Sequence, residues 1–257
     1  MSGRVDLRLD ERAGGSVAFL TIDNRARLNT LDSPLMAAFI GEVERLAERD
    51  GLRALVLAGA GGKAFIGGAS IPEMAALTPD TARVFITMVH RTCDCLRRLP
   101  VPVIAAIDGY ALGAGLEVAV SCDLRVATTR AKFGMPETRV GIPSVIEAAL
   151  IPRLIGDGRA RELLMLGEII DAETALRWGL VERVVPPDAF DMEIEKIIAA
   201  LFAAGPQAVR LQKALMQQWE NLPADRAIEA GIDAFAKAFG SDEPMRMLSA
   251  FAKRKRD

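Results

Sequence analysis

The first sixty residues change twice between strand-like and helix-like hydrophobic patterns. Val5–Leu9 alternates apolar and polar residues, and Ser16–Ile22 is a mainly apolar run beyond a turn at Glu11–Gly15. These patterns predict two β-strands joined by the turn. Leu52–Ala58 is a short apolar run, which is typical of a buried strand.

Between these strands, residues 33–49 carry the hydrophobic spacing of an amphipathic helix. Ser33 and Pro34 predict the N-cap and the first helical turn. The apolar residues that repeat at helical spacing are Leu35, Phe39, Val43 and Leu46. The pattern therefore predicts a strand-strand-helix unit.

The same order of elements recurs along the next eighty residues. A helix is predicted from about Pro79 to Arg98, Leu99–Pro102 interrupts it, and Val103–Ile107 and Asp123–Ala127 are strand-like. The rhythm repeats about every 45–50 residues over roughly the first 130 residues, without obvious sequence self-similarity. It predicts an α/β fold with a mixed sheet.

Helical patterns dominate from residue 146 onward. The predicted helices are Ile146–Leu154, Gly158–Leu166, Ala172–Trp178, Asp188–Ala204, Pro206–Gln218 and two more towards the end. No linker or low-complexity run divides the chain. We expect one core domain over residues 1–185 and a helical extension over residues 186–257.

Composition narrows the function classes. The 257 residues are 51% hydrophobic and 26% charged, with a formal charge of −2, so no strong field favours nucleic acid or a membrane surface. Met1–Glu11 lacks the apolar core of a signal peptide, and apolar runs such as Ile197–Ala204 are shorter than a membrane span. With three scattered cysteines, we expect a cytoplasmic protein.

The single histidine, His90, limits the possible chemistry. One histidine and three cysteines form no zinc pattern, so we expect no metal. A nucleophilic triad would have to use His90, which lies in the amphipathic stretch Phe85–Arg98; the alternative is a surface or packing role. Acid–base chemistry is therefore expected from carboxylates.

Two glycine-rich stretches are the candidate ligand loops. Residues 63–74 read KAFIGGASIPEM, and residues 109–117 read GYALGAGLE, where a strand ends and a helix begins. Such loops expose backbone amides that can bind an anion, although glycine equally serves close packing and turns. Neither stretch is a phosphate loop or a dinucleotide fingerprint, because the required spacing is absent and Val118 replaces the third glycine.

Together, these stretches resemble one family. KAFIGGASIPEM, PVIAAIDGYALGAGLEVAVSCDLRVA and FGMPE follow each other with the order and spacing of the crotonase (enoyl-CoA hydratase/isomerase) superfamily, and SAFAKRKR resembles its C-terminal helix. The resemblance covers nearly the whole chain. It implies a crotonase-like spiral of repeated strand-strand-helix units that carries the active site over residues 1–185. It also implies that the helices of residues 186–257 form trimers and cover that site, in a homotrimer or a dimer of trimers.

The resemblance also assigns four active-site residues. The two oxyanion-hole amides of the family fall on Ala69 and Ala114, and its two hydratase glutamates fall on Glu117 and Glu137. A backbone amide does the work at Ala114, so alanine can replace the glycine of many relatives. Most single glutamates are surface or capping residues, but both acids at the matched positions favour catalysis.

Contacts to the acyl-CoA substrate are carried over from the same motifs. The expected contacts are Arg25, Arg27, Leu28, Lys63, Ala64, Ile66, Gly68, Ser70, Ile71, Gly113, Gly115, Pro136 and Ser144. The loop at residues 24–29 is one residue shorter than in many relatives. The basic ending Lys253–Arg256 either reaches phosphates or complements the helix dipole.

The implied activity is enoyl-CoA hydration, a lyase reaction of fatty acid β-oxidation. It needs no separate cofactor, because coenzyme A is part of the substrate. Δ3,Δ2-enoyl-CoA isomerases usually manage with the carboxylate at the Glu137 position, so the second one at Glu117 favours a hydratase. The alternatives are an isomerase or other crotonase-type enzyme, an inactive scaffold and an RNA-binding relative; the last would need a basic, aromatic face.

One segment departs from the family pattern. Residues 141–147 read GIPSVIE where many hydratases have small residues. We expect Val145 and Ile146 to narrow or redirect the acyl pocket. The third carboxylate, Glu147, is expected to face solvent on its helix.

Overall fold

The computed structural model describes residues 3–254 and confirms an α/β fold. The strands are β1 (Arg4–Arg12), β2 (Gly15–Asp23), β3 (Leu52–Gly59), β4 (Ala64–Ile66), β5 (Val103–Ile107), β6 (Tyr110–Leu112), β7 (Leu124–Thr128), β8 (Lys132–Gly134), β9 (Ile169–Asp171) and β10 (Arg183–Val185). The helices are α1 (Ser33–Ala47), α2 (Ile71–Met74), α3 (Pro79–Arg98), α4 (Ala114–Ser121), α5 (Ile151–Ile155), α6 (Asp157–Leu166), α7 (Ala172–Trp178), α8 (Phe190–Ala203), α9 (Pro206–Trp219), α10 (Ala224–Ala238) and α11 (Glu243–Arg254).

Successive segments of the chain contribute strands to two separate sheets. The larger sheet has the order β1-β2-β3-β5-β7-β10, and the smaller one has the order β4-β6-β8-β9. Each of three consecutive segments therefore gives its first strand to the larger sheet and its second strand to the smaller one. This advance of strand pairs is the spiral that the family resemblance implies. The second of these segments is less than half as long as the predicted repeat, since β5 begins at Val103 and β7 already at Leu124.

Strand direction follows the length of each connection. β1 and β2 form an antiparallel hairpin, because only a short turn joins Arg12 to Gly15. β2, β3, β5, β7 and β10 are mutually parallel, because a crossover separates each from the next. All five residues of β5 are buried, as expected for a central parallel strand covered on both faces.

The main core lies between the sheets and helices α1, α3 and α4. It contains Phe39 of α1, Phe65 of β4, Val89 of α3 and Phe133 of β8, which are nearly or fully buried. On the opposite face of the larger sheet, Ile194, Ile197 and Ile198 of α8 pack against apolar residues of β2, β3, β5 and β7. Helices α1 and α3 pack against each other within the main core.

Two local predictions differ from the structure. The N-cap of α1 is Asp32, not Ser33; its carboxylate accepts a hydrogen bond from the Leu35 amide, and Ser33 is the first helical residue. Residues 146–154, predicted as one helix, form a 3-10 helix Ile146–Leu150 followed by α5. Pro152 cannot donate the backbone hydrogen bond that a continuous α-helix would need.

The C-terminal helices expose much of their apolar surface in the single chain. On α10, Ile228, Ile232 and Phe235 are each at least 64% exposed. Helix α9 is nevertheless anchored to the core, because the buried Lys213 donates to the Leu96 and Val101 carbonyls and to Asp123 at 2.7 Å. Lys255 and Arg256 of the basic ending lie outside the described residues.

Candidate active site

The two predicted glycine loops lie side by side at the end of the smaller sheet. β4 and β6 are parallel neighbours, so the loops that follow them leave the sheet at the same edge. A Cβ atom on Gly115 would overlap the Ile66 carbonyl, and one on Gly68 would lie 3.3 Å from the Leu112 carbonyl. The glycines at positions 68 and 115 therefore allow close approach of the two loops.

Hydrogen bonds to Leu31 fix the direction of the Ala69 amide. The Leu31 amide donates to the Gly68 carbonyl at 2.9 Å, and the Ser70 amide donates to the Leu31 carbonyl at 2.7 Å. Gly68 and Ser70 thus use the side of the strand that faces Leu31. Because backbone groups alternate in direction along an extended chain, the Ala69 N–H points to the opposite side, where a cavity lies.

The Ala114 amide is the first of helix α4. Gly113 precedes it with φ +52° and ψ −122°, a conformation that L side chains rarely adopt. The Leu116 and Glu117 amides donate to the Gly113 carbonyl, but the first amide of a helix has no intrahelical acceptor. Ala114 lines the same cavity as Ala69.

Glu117 lies one turn into α4 and is only 4% exposed. Its Oε1 accepts a hydrogen bond from the Ala148 amide at 3.3 Å. Burial, followed by the negative charge of Glu137, raises the pKa of Glu117 from 4.5 to about 8. A carboxyl group with this pKa is protonated at neutral pH and can donate a proton.

Glu137 lies in the 3-10 helix Pro136–Val140, which follows β8 directly. Ser144 Oγ donates to Glu137 Oε2 at 2.9 Å. Burial raises the pKa of Glu137, while hydrogen bonds from its own backbone amide and from Ser144 oppose that change. A Cβ on Gly113 would overlap Glu137 Oε1, so this carboxylate lies directly against the start of α4.

A cavity of about 840 Å³ contains both carboxyl groups and both loops. Its volume falls within the usual range for small-molecule sites. The wall away from the loops is largely apolar. That wall is formed by Ile71, Met74, Leu77, Phe85, Ile86, Val89, Val140, Ile142 and Val145, among others.

The predicted site residues divide into three groups. Those that line the cavity are Gly68, Ala69, Ile71, Gly113, Ala114, Glu117, Pro136 and Glu137. A second group lies behind the lining: Ser144 contacts Glu137, Ser70 caps α2, and Gly115 packs against Ile66. Ala64 and Ile66 are fully buried in β4 and do not line the cavity.

The third group, Arg25, Arg27, Leu28 and Lys63, is exposed and does not line the cavity. Leu28 has φ +54°, and its carbonyl accepts from the Gly67 amide at 2.8 Å, which attaches this loop to the cavity lining. Arg25 pairs with Asp23 at 2.7 Å, whereas Arg27 and Lys63 extend from the surface. The loop therefore places cations next to the cavity.

The expectation for Glu147 is wrong. Glu147 is only 7% exposed, and its Oε1 lies 2.7 Å from Nδ1 of the half-exposed His90 imidazole. Ile146 adopts φ +43°, which turns the chain so that Glu147 and Ala148 point inward. The sequence carried no local signal for this pairing, because the two partners are 57 positions apart.

Of the two residues expected to narrow or redirect the acyl pocket, Val145 alone is in the cavity lining. The side chain of Ile146 packs against the main core.

Within residues 3–254, no three histidine, cysteine, aspartate or glutamate side chains are grouped to hold a metal ion. No helix in that range is long and apolar enough to cross a membrane.

Comparisons with known proteins agree with this geometry. The family model described as enoyl-CoA hydratase/isomerase matches residues 12–257. Crotonyl-CoA hydratase of Syntrophomonas wolfei is 34% identical over 241 residues, covering 93% of each chain. (E)-benzylidenesuccinyl-CoA hydratase of Thauera aromatica is 35% identical over 216 residues, covering 82% of this chain and 83% of that protein.

Solved structures show the same fold. The enoyl-CoA hydratase of Bacillus anthracis superposes with a TM-score of 0.91 at 31% identity, covering 96% of both chains. A Mycobacterium smegmatis enoyl-CoA hydratase gives the same TM-score at 32% identity, again covering 96% of both chains. The chain is therefore an enzyme of the enoyl-CoA hydratase/isomerase (crotonase) family.

Proposed function

We propose that the protein is an enoyl-CoA hydratase, which adds water syn across the 2,3 double bond of an α,β-unsaturated acyl-CoA and gives a 3-hydroxyacyl-CoA. One observation carries the proposal: Glu117 and Glu137 line the same cavity as the loops that present the Ala69 and Ala114 amides. Relatives named as hydratases support it. Coenzyme A is part of the substrate, so the reaction uses no separate cofactor.

The two amides are proposed to bind the thioester oxygen. Negative charge builds on this oxygen when the β-carbon is attacked and the α-carbon gains enolate character. Two fixed N–H donors stabilise that charge, and removing one such donor typically costs about 10²–10³ in rate. The pairing of Gly68 and Ser70 with Leu31, and the position of Ala114 as the first residue of α4, support this role.

The two glutamates are proposed to divide the proton transfers. Glu137 accepts a proton from water while the water oxygen bonds to the β-carbon, and Glu117 donates its proton to the α-carbon. The pKa of about 8 for Glu117 and the Ser144 hydrogen bond to Glu137 support this order. The proton then moves from Glu137 back to Glu117, so each turnover consumes one water and leaves the enzyme unchanged.

We further propose that Arg25, Arg27 and Lys63 contact the phosphates of coenzyme A. Arg25 and Arg27 stand on the loop that Leu28 joins to Gly67, and the exposed Lys63 directly precedes β4. Arginine and lysine are the usual partners of phosphate groups. The apolar walls, including Phe85 and Val89, would then surround the acyl chain at the other end.

Assembly as a homotrimer or a dimer of trimers is also proposed. The exposed apolar residues Ile228, Ile232 and Phe235 of α10 form one face with Trp219 of α9. Apolar faces of this kind usually mark contacts between chains. Light scattering on the purified protein should give a mass of three or six chains, and a monomer would exclude this part of the proposal.

Hydration is tested with crotonyl-CoA and no added cofactor. Purified protein should remove the ultraviolet absorbance of the conjugated thioester, and mass spectrometry should show a product heavier by one water. A 3-enoyl-CoA substrate separates the two enzyme classes, because an isomerase would convert it to the conjugated 2-enoyl form. Isomerisation without hydration would refute the proposed function.

A further inference from the structure

One cationic side chain lines the cavity together with the two glutamates. Among the described residues of the lining, the ionisable side chains are those of Glu117, Glu137 and Arg83. The two glutamates are proposed to transfer protons, and that chemistry gives Arg83 no role. In a largely apolar ligand cavity, the few polar groups usually orient the ligand or select it. Arg83 is therefore a candidate for recognising part of the substrate.

The guanidinium of Arg83 is available to a ligand. Its side chain is exposed, and within the described part of the chain no salt bridge or hydrogen bond joins the guanidinium to another residue. The hydrogen bond from Thr87 Oγ1, at 2.7 Å, goes to the backbone carbonyl of Arg83. The other arginines of α3 each pair with a carboxylate: Arg91, Arg97 and Arg98. Arg83 differs from them in facing the cavity.

The start of α3 explains why Arg83 belongs to the cavity wall. Thr78 caps the helix, and Pro79 is its first residue. From there the lining includes positions 79, 82, 83, 86 and 89. Steps of three and four residues describe one face of an α-helix. Arg83 thus lies on the same helix face as Ile86 and Val89.

Arg83 lies at the part of this wall that is remote from the reaction centre. The lining follows the chain from Ala69 through α2 to Thr78, and it returns along α3 from Arg83 to Val89. The next residue, His90, contacts the 3-10 helix that closes over Glu117. Six helical residues separate positions 83 and 89, which is about 9 Å along the helix axis. An extended chain that advances about 1.2 Å per bond covers this distance with roughly six to eight carbons.

The cations proposed to bind coenzyme A meet the cavity at a different place. Arg25 and Arg27 belong to the loop that Leu28 joins to Gly67, which precedes Ala69. Helices α2 and α3 follow Ala69 along the chain. Arg83 is therefore separated from the loop cations by the proposed oxyanion hole and by α2, on the side of the apolar acyl wall.

We propose that Arg83 binds a carboxylate at the far end of the acyl chain, so that the preferred substrates are enoyl-CoA thioesters of dicarboxylic acids. This inference rests on the proposed hydratase function. A guanidinium presents paired N–H donors that match the two oxygens of a carboxylate. The apolar wall, including Phe85 and Ile86, surrounds the carbons between the thioester and that carboxylate. A monocarboxylic acyl chain leaves Arg83 without a partner.

Kinetics with matched pairs of acyl-CoA substrates test the proposal. The charged substrates are 2-hexenedioyl-CoA and 2-octenedioyl-CoA, and the neutral ones are 2-hexenoyl-CoA and 2-octenoyl-CoA. Arg83→Gln should lower the ratio of kcat/KM for the charged to the neutral substrate at least about fivefold at one of the two lengths, the scale of a charge-assisted hydrogen bond near the surface. The control Arg91→Gln removes an exposed cation of the same helix outside the lining and should leave the ratio unchanged.

The size of the loss for each substrate decides between the two ends of the ligand. An equal loss for charged and neutral substrates in Arg83→Gln would place Arg83 at the phosphates of coenzyme A and overturn the inference. A fall of the ratio by less than about fivefold at both lengths would overturn it as well. Charge reversal in Arg83→Glu should lower the ratio further than Arg83→Gln, because the new carboxylate repels that of the substrate.

Binding of saturated thioesters separates this inference from the proposed function. Adipyl-CoA and hexanoyl-CoA have no double bond to hydrate, and calorimetry measures their affinities directly. If the wild type hydrates no acyl-CoA, the proposed function fails, and the ratio of these two affinities then decides the role of Arg83. The ratio should fall at least about fivefold in Arg83→Gln and stay unchanged in Arg91→Gln. A smaller fall would then overturn the inference.

Discussion

The two sides of the cavity are built by different means. The amide side consists of backbone: Ala69 is oriented by Leu31, and Ala114 by Gly113 at the start of α4. The acid side consists of side chains: Ser144 holds Glu137, and the 3-10 helix Ile146–Leu150 closes over Glu117. The arrangement of the amide side depends on glycines and on strand pairing. That of the acid side depends on the protonation of carboxyl groups and on packing between residues far apart in sequence.

This difference teaches which properties each side can control. Backbone amides do not titrate at physiological pH, so the amide side keeps one electrostatic character. Burial raises the pKa of both carboxyl groups, and the charge of Glu137 raises that of Glu117 further, so the charge of this side changes with pH. We expect pH dependence and acyl selectivity to arise on the acid side, and stabilisation of the thioester oxygen to arise on the amide side.

The largest expected effect is a pH dependence of the unfolding free energy, which arises on the acid side because its carboxyl groups titrate. The folded protein binds a proton at Glu117 with pKa about 8, against 4.5 as the ordinary value. This contribution to stability is fully present below about pH 4.5 and is lost as pH rises through 8. Relative to Glu117→Gln, the wild-type unfolding free energy should fall by at most about 5 kcal/mol over that interval.

Denaturant unfolding of both proteins between pH 5 and about 9 checks this expectation. Glu162→Gln, an exposed substitution on α6, should follow the wild type throughout. Parallel pH curves for the wild type and Glu117→Gln would mean that Glu117 is not protonated in the folded protein at neutral pH.

The second prediction concerns the point where the two sides meet. Gly113→Ala adds a Cβ that overlaps Glu137 Oε1 and places alanine at φ +52°. The change should displace both the Ala114 amide and the acid, and lower kcat/KM at least about a hundredfold. Gly158→Ala in α6 meets open space and should leave kcat/KM unchanged. Steady-state kinetics on folded variants measures both, and near-normal activity of Gly113→Ala would contradict the arrangement.

The smallest prediction concerns acyl selectivity on the acid side. Val145 lines the cavity, so Val145→Ala should enlarge the acyl pocket. The ratio of kcat/KM for hexenoyl-CoA to that for crotonyl-CoA should rise about tenfold, the usual scale for space of one or two methyl groups. Val84→Ala removes the same atoms from an exposed position of α3 and should not change the ratio. An unchanged ratio in Val145→Ala would place the acyl chain elsewhere.

The amide side could be predicted from sequence because its determinants are local. The glycine-rich stretches around Gly68 and Gly113 mark chain turns by composition alone, and the family motifs place Ala69 and Ala114 within them. Most strands of the larger sheet and most helices follow from hydrophobic periodicity, and β5 and α3 have the predicted bounds, whereas the short strands of the smaller sheet were not predicted. Boundary errors occur at Asp32, where a side-chain hydrogen bond decides the cap, and at residues 146–154, where the predicted helix is divided.

The acid side could be predicted only in part. Glu117 and Glu137 were assigned by motif, but the inward turn at Ile146 has no sequence signal, because β-branched residues seldom adopt positive φ. The Glu147 contact to His90 requires the packing of α3 against a segment more than fifty residues away. Such pairings depend on tertiary structure and not on local pattern.

The measurement that tests the central claim most directly is the turnover of crotonyl-CoA by Glu117→Gln and Glu137→Gln. Glutamine keeps the shape of each side chain but cannot exchange the proton, and each role is usually worth about 10²–10⁴ in rate. We expect each variant to remain folded and to lose at least about a hundredfold in kcat. Near-normal turnover by either variant on its best acyl-CoA would contradict the two-carboxylate account.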